Sequence, residues 1–252
     1  MKTKELTKPE NTPVTNEALA LPSDYWQSDN QEGSNDESAS YVGFYHKKSG
    51  EKTKAGMEAA GGRLDQFYLF HKGTYIPLPK LTYHLLESYK CYTKEDNRGN
   101  PLAVFEDDPG NPKEFQQTGL AVIAVKHGNS LVPASFKGRG GLYNALKAAR
   151  TMQTTANKKA EFEALGEQYK IAAQSPVVQS RFVATASASM EKNPDTGNDF
   201  TKANCSTSPS RVEDINLFLA ATKDPEFNAQ LAKVRGRYKK QVDTLKSKIG
   251  KS

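Results

Sequence analysis

Residues 67–92 read FYLFHKGTYIPLPKLTYHLLESYKCY, and their alternation governs how the rest of the chain is read. Seven of the 26 are aromatic (Phe67, Tyr68, Phe70, Tyr75, Tyr83, Tyr89 and Tyr92), against 9% of the whole chain. His71, Lys72, Lys80, His84 and Lys90 stand among them. Phe67–His71 and Thr74–Leu78 flank Lys72-Gly73, a two-residue hairpin signal. Pro77 and Pro79 have no N–H to give a ladder, so they end the second strand. From Leu81 to Tyr92 the side chains alternate at the period of a strand. Strict alternation sets Leu81, Tyr83, Leu85, Tyr89 and Cys91 on a core face. It sets Thr82, His84, Leu86, Ser88, Lys90 and Tyr92 on the opposite face, which is half polar. His84, Lys90 and Tyr92, with Tyr75 from the hairpin, are the candidates to meet a ligand. Aromatic faces interleaved with cations stack unpaired bases while neutralising phosphates. The competing reading of each ring is that it fills the core of a sheet.

Before this stretch, Tyr41–His46 reads as a short strand, followed by polar Lys47–Lys54 and small-residue Ala55–Gly62. After it come a turn at Asp96–Asn100, a strand at Leu102–Phe105 and an acidic loop, Glu106–Glu114. Leu120–His127 is apolar on both faces, the pattern of a central strand. Gly128-Asn129 turns it into Ser130–Phe136, where Pro133 argues for an edge or a bulge. Lys137-Gly138-Arg139-Gly140-Gly141 reads as a glycine-rich connection whose amides and cations suit a nucleic-acid backbone. Leu142, Ala145, Leu146, Ala149 and Met152 share one helical face, and Ala160–Ala173 continues helical until Pro176. A long strand then carries Val178, Phe182, Ala184, Ala186, Ala188 and Met190 on one side. Asn193–Asn198 turns it back into Asp199–Ser206. Ser208-Pro209 reads as the start of a helix through Ala221, and Asp224-Pro225 as the start of the last helix. Phe227, Leu231, Val234, Tyr238, Val242, Leu245 and Ile249 make a continuous apolar stripe on that basic helix.

These elements describe an α+β protein: an antiparallel β-barrel or curved sheet with an inserted helical segment and C-terminal helices. Residues 1–40 are expected to be a disordered acidic leader, 41–206 a β-rich core with helices near 142–173, and 207–252 the C-terminal helices. A mean hydropathy of −0.72 agrees with part of the chain lying outside a packed core. The charge is uneven. Residues 1–40 hold three basic and eight acidic side chains, whereas 225–252 hold eight basic and two acidic ones. A basic body suits a polyanionic partner.

Catalytic patterns are scarce. The four histidines, His46, His71, His84 and His127, form no HxH, HExxH or HxE pattern. No Gly-x-Ser-x-Gly elbow occurs, and no Asp or Glu has Lys two positions later, as a PD-(D/E)xK nuclease needs. Cys91 and Cys205 are too far apart for a zinc cluster and read as small core residues, which points to a reducing, cytoplasmic location. No run approaches a membrane helix, and no secretory h-region stands near the first residues. No cofactor or metal, no membrane and no enzymatic activity are expected.

In its order of elements over residues 41–206, the chain resembles phage-type single-stranded DNA-binding proteins built on an OB-like barrel. The Gly-Asn hairpin into Leu131-Val132-Pro133-Ala134, the helix Leu142–Ala156 and the hairpin around Asn193–Asn198 carry the resemblance. It implies a non-enzymatic protein that binds single-stranded DNA in phage or bacterial replication or recombination, in the host cytoplasm if phage-encoded. Bacterial-type single-strand binders usually end in an acidic tail, and here the last helix is basic while the front is acidic. The nucleic-acid contacts expected from the residues are Tyr75, His84, Lys90, Tyr92, Lys94, Arg98, Lys126, Lys137 and Arg139. The alternative is a phage or mobile-element assembly protein that forms a homo-oligomer or engages partners through the C-terminal helix.

Overall fold

The computed structural model describes residues 39–47, 49–95, 101–110, 114–158, 179–192, 197 and 199–250. The acidic leader up to residue 38, the turn at 96–100, the second helical stretch at 160–173 and nearly all of the 193–198 turn lie outside the described residues. Among the described residues nine strands form one sheet: β1 (Tyr41–Tyr45), β2 (Gln66–His71), β3 (Thr74–Leu78), β4 (Leu81–Glu95), β5 (Pro101–Phe105), β6 (Gln116–His127), β7 (Ser130–Arg139), β8 (Phe182–Lys192) and β9 (Asp199–Pro209). Their order is β3-β2-β1-β7-β6-β4-β8-β9, with β5 beside the end of β4. Every pairing is antiparallel except that of β1 with β7. Four helices complete the described fold: α1 (Glu51–Ala59), α2 (Asn144–Lys158), α3 (Val212–Ala221) and α4 (Pro225–Lys246). The protein is thus α+β on a strongly curled sheet.

The curl brings β2 on one arm against β8 on the other. Its inner face holds the main core, with Val42, Phe67, Leu69, Tyr83, Ile123 and Ala184 contributed by five different strands. Helix α2 closes over β8 and β9 and adds Ala145, Leu146 and Ala149 to that core. Strand β6 is central, as its two apolar faces imply. Ala121, Ile123 and Val125 point inward, while Leu120, Val122 and Ala124 meet side chains of α3 and α4 on the outer face. Each fully buried side chain of this kind contributes roughly 1.5–3 kcal/mol.

Helix α4 begins as its sequence implies: Asp224 accepts a hydrogen bond from the Glu226 amide at 2.9 Å, and Pro225 takes the first helical position. Phe227, Leu231, Val234, Val242 and Leu245 are buried on the outer face of the sheet. The stripe expected to serve packing or self-association is therefore covered by the chain itself, with Ile249 left exposed at its end.

Several local expectations are corrected. Residues 137–139 are not a loop: Lys137, Gly138 and Arg139 continue β7 opposite Leu120, Gly119 and Thr118, and a 3₁₀ turn, Gly140–Tyr143, then leads into α2. Ser208-Pro209 does not start a helix. Both residues pair with Val183 and Phe182 at the end of β9, and α3 starts after Arg211. Pro209 fits there because β9 is an edge strand that needs no further donor. Pro133 faces Ala124 of β6, and β1 reaches β7 only at Ser135 and Phe136, so β7 is locally an edge at the proline. Helix α1 was hidden in a polar stretch because Met57 is its one buried side chain.

Candidate nucleic-acid interface

The alternation of β4 does not run unbroken. Opposite β6, Leu85 pairs with Ile123 and Glu87 pairs with Val122, which leaves Leu86 as an extra residue in a bulge. One extra residue turns every later side chain to the other face. Leu81, Tyr83 and Leu85 point into the curl, but Tyr89 and Cys91 point out, against Leu120, Val242 and Leu245 of the outer cluster. His84 and the pair Lys90 and Tyr92 consequently lie on opposite faces of the sheet, not on the shared face that strict alternation implies.

The expected contact residues fall in separate places. His84 is buried beneath α3, where its Nδ1–H donates to the Phe182 carbonyl at 3.0 Å and its ring meets Phe218 edge-on at 4.9 Å. Burial pushes its pKa down. It is a neutral core group. Lys90 and Tyr92 sit on the inner face, with the Lys90 Nζ 4.8 Å above the Tyr92 ring and Gln117 Nε2 donating to Tyr92 Oη at 3.0 Å. Tyr92 itself is buried. Lys94 pairs with Glu114 at 3.5 Å. Lys126 donates to Asp214 at 2.6 Å, and this contact lowers the pKa of the Asp214 carboxyl. Lys137 and Arg139 lie on the outer face by register with Leu120 and Thr118, and Lys137 is exposed. Arg98 lies outside the described residues.

Tyr75 belongs to a different assembly. On the outer face of β1, β2 and β3, Tyr41, Tyr45, Tyr68, Phe70 and Tyr75 gather with Met57 of α1. Two glycines make this possible. A Cβ on Gly43 would lie 2.3 Å from the Tyr68 ring, and one on Gly56 would lie 2.2 Å from the Tyr75 ring. The Tyr41 and Phe70 rings stack, with centroids 5.1 Å apart and planes 28° apart, and Tyr75 meets Phe70 edge-on at 5.0 Å. Tyr41 and Phe70 are half-buried, whereas Tyr45, Tyr68 and Tyr75 are buried. Burial, together with the neighbouring phenols Tyr68 and Tyr75, raises the Tyr41 pKa well above the ordinary tyrosine value.

Helix α4 borders this aromatic strip. The Arg237 guanidinium lies 4.8 Å over the Tyr41 ring, and its Nη1 donates to the Ala39 carbonyl at 3.4 Å. Ser40 Oγ sits 2.7 Å from His71 Nδ1 and accepts from Gln230 Nε2 at 2.8 Å, tying β1 and β2 to α4. Lys72 and Glu226 form an ion pair at that end. The His71 pKa is lowered, first by burial and then by the Lys72 charge. Lys137 and Arg139 continue the same outer face beyond the Tyr41–Ser135 pair, about 7 and 13 Å along β7 at the usual strand rise. Two members of this site, Tyr41 and Arg237, escape sequence reasoning, since only the pairing of Tyr41 with Phe70 and the placement of α4 bring them to the aromatic segment.

Of the seven aromatics in residues 67–92, Phe67, Tyr68, Tyr75, Tyr83 and Tyr92 are buried, and Phe70 and Tyr89 are half-buried. Tyr83 is fixed in the inner core, where its hydroxyl donates to the Ala145 carbonyl. Among the described residues no three His, Cys, Asp or Glu side chains converge as metal ligands. No described helix is long and apolar enough to cross a membrane. Comparison with protein-family models, with curated proteins and with solved structures finds no match for this chain.

Proposed function

We propose that the protein binds single-stranded nucleic acid, DNA in the first instance, across the outer aromatic strip between α1 and α4. The observation that carries this reading is the half-buried Tyr41–Phe70 stack beneath Arg237. A flat pair of rings with a guanidinium over one of them offers a face for an unpaired base, and each stacked base contributes roughly 1–3 kcal/mol. Lys137, Arg139 and Arg237 supply positive charge along the same face for the phosphates. The curled sheet is compatible with the OB-like layout that the order of elements resembles. A duplex keeps its bases stacked inside and gains nothing from the rings, so preference for single strands is part of the proposal.

Polarisation titrations with labelled oligo-dT and a matching duplex, at two salt concentrations, test it. The expected outcome is tighter binding to the single strand, weakening with salt by a slope of about 0.7 per phosphate neutralised. Tyr41→Ala is expected to cost about 1–3 kcal/mol of affinity with the salt slope unchanged. Lys137→Ala is expected to reduce the slope by a little under one contact. Equal, salt-insensitive binding of micromolar or weaker affinity to both ligands would refute the reading.

A further inference from the structure

Ala39, the first described residue, is fully buried, and its carbonyl is held by Arg237, the same side chain that lies over Tyr41. The chain before it therefore joins the fold at the edge of the aromatic strip. Those 38 residues hold three of the 35 basic side chains and eight of the 29 acidic ones. The rest of the chain is left with 32 basic and 21 acidic groups, a net charge of +11, against −5 for the segment itself. The segment also carries the only tryptophan, Trp26, within Leu19-Ala20-Leu21-Pro22-Ser23-Asp24-Tyr25-Trp26. Trp26 lies thirteen positions before Ala39, a reach of at most about 45 Å. Helix α4, at 22 residues, is only about 33 Å long, so every part of its border with the strip falls within that reach.

We infer that the acidic segment 1–38 docks within its own chain on the Tyr41–Phe70 strip, with Trp26 on the rings and its carboxylates beside Arg237 and Lys137. There it competes with nucleic acid. This deepens the binding reading above and rests on it for the competitor, though not for the docking itself. Three observations converge on it: the tether point at the strip, the opposite charges of segment and body, and an aromatic side chain suited to a half-buried ring pair. Tethering converts docking into an intramolecular event at an effective concentration of about millimolar, so weak contacts suffice. Exposed charge pairs are screened by salt, so docking is expected to loosen as ionic strength rises.

The test uses the full chain and its single tryptophan, with no nucleic acid present. At low salt Trp26 emission is expected to be blue-shifted, and its acrylamide quenching reduced, relative to a synthetic peptide of residues 1–38. Both differences should disappear as NaCl is raised, and Arg237→Ala should remove most of them at low salt. Emission that matches the free peptide at every salt concentration and ignores Arg237→Ala would overturn the inference. A blue shift that grows with protein concentration would overturn it too, because the occupant would then come from a second copy. A full-length variant with all eight acidic residues of the segment changed to Asn or Gln provides the second arm. If the strip is nine-tenths occupied, this variant should bind oligo-dT about tenfold more tightly at low salt. Oligo-dT binding with no difference between variant and parent chain would reject the competition and leave the binding reading standing. A salt-dependent Trp26 signal with no oligo-dT binding by either chain would reject the binding reading and leave the docking standing.

Discussion

The hairpin β2–β3 and the strand β4 carry rings and cations at similar density, yet they dispose of them in opposite ways. In the hairpin the alternation is unbroken. Lys72 and Gly73 both take positive φ, as a tight two-residue turn requires, so Phe67, Leu69, Ile76 and Leu78 point into the curl while Tyr68, Phe70 and Tyr75 point out. The outward rings meet Tyr41 and form one aromatic surface. In β4 the bulge at Leu86 divides the strand, sending Tyr83 inward, Tyr89 outward and Tyr92 inward again. Three rings on one strand thus end in three different surroundings. Ring density does not make a surface. An uninterrupted register does.

The sharpest way to break this contrast is to remove the bulge. Deleting Leu86 would let Glu87 follow Leu85 directly, opposite Val122 and Ile123 respectively. Tyr89 and Cys91 would then keep the outer face, while the buried Leu86 side chain is lost from the cluster it shares with Val122 and Phe218. A loss of about 2–5 kcal/mol is expected, the usual cost of removing a buried leucine side chain. Urea denaturation followed by circular dichroism measures it. A deletion variant whose Cys91 became reactive to a thiol reagent while folded would show that the later half of β4 had changed face, and that the extra residue does not set its register.

On the hairpin side, the corresponding weak point is the missing side chain at Gly43. A methyl group there would press on the Tyr68 ring, which is itself hemmed in by Tyr41 and Tyr75. Gly43→Ala is expected to cost about 1–3 kcal/mol by overpacking. The cost should shrink when Tyr68 is also changed to Ala, since the clash then has no partner. Urea midpoints of the two single variants and the double variant close that cycle. Additive losses would mean that Gly43 is needed for some reason other than the Tyr68 ring.

Much of this was legible in one dimension. The hairpin turn, the central β6, the Ala-lined β8 and the capped, striped α4 each announce themselves by local spacing, and each lies where its spacing puts it. The bulge had no such signal: Leu85-Leu86 reads as two ordinary apolar residues, and only the β6 partner reveals which of them is extra. The candidate site suffered from the same blindness. Tyr75 and Lys137 were named from their neighbours in sequence, but Tyr41 and Arg237 join them through β1–β2 pairing and helix docking, which no local pattern encodes. His84 misled for a related reason. It sits before the bulge, so its face is the one that α3 covers.

The two histidines of these regions give the finest comparison, because both are held neutral by burial to different degrees. His84 on β4 is enclosed by Phe218 and the Phe182 carbonyl, whereas His71 on the hairpin is half-exposed beside Lys72 and Glu226. Both have a pKa below the ordinary value of 6.5. In each case the unfolded chain takes up a proton more readily than the folded one. Stability from this source is fully present above pH 6.5 and is lost as pH falls below it. Urea midpoints measured from pH 7.5 to 5 should therefore decline toward acid. His84→Asn keeps an N–H donor but cannot titrate, so it should flatten that decline, although its shorter reach lowers stability at neutral pH. His71→Asn should flatten it less, since water and Glu226 already accommodate part of the charge. If the two variants changed the pH slope equally, the strand's histidine would be no more enclosed than the hairpin's, and the contrast between the two regions would fail at its smallest scale.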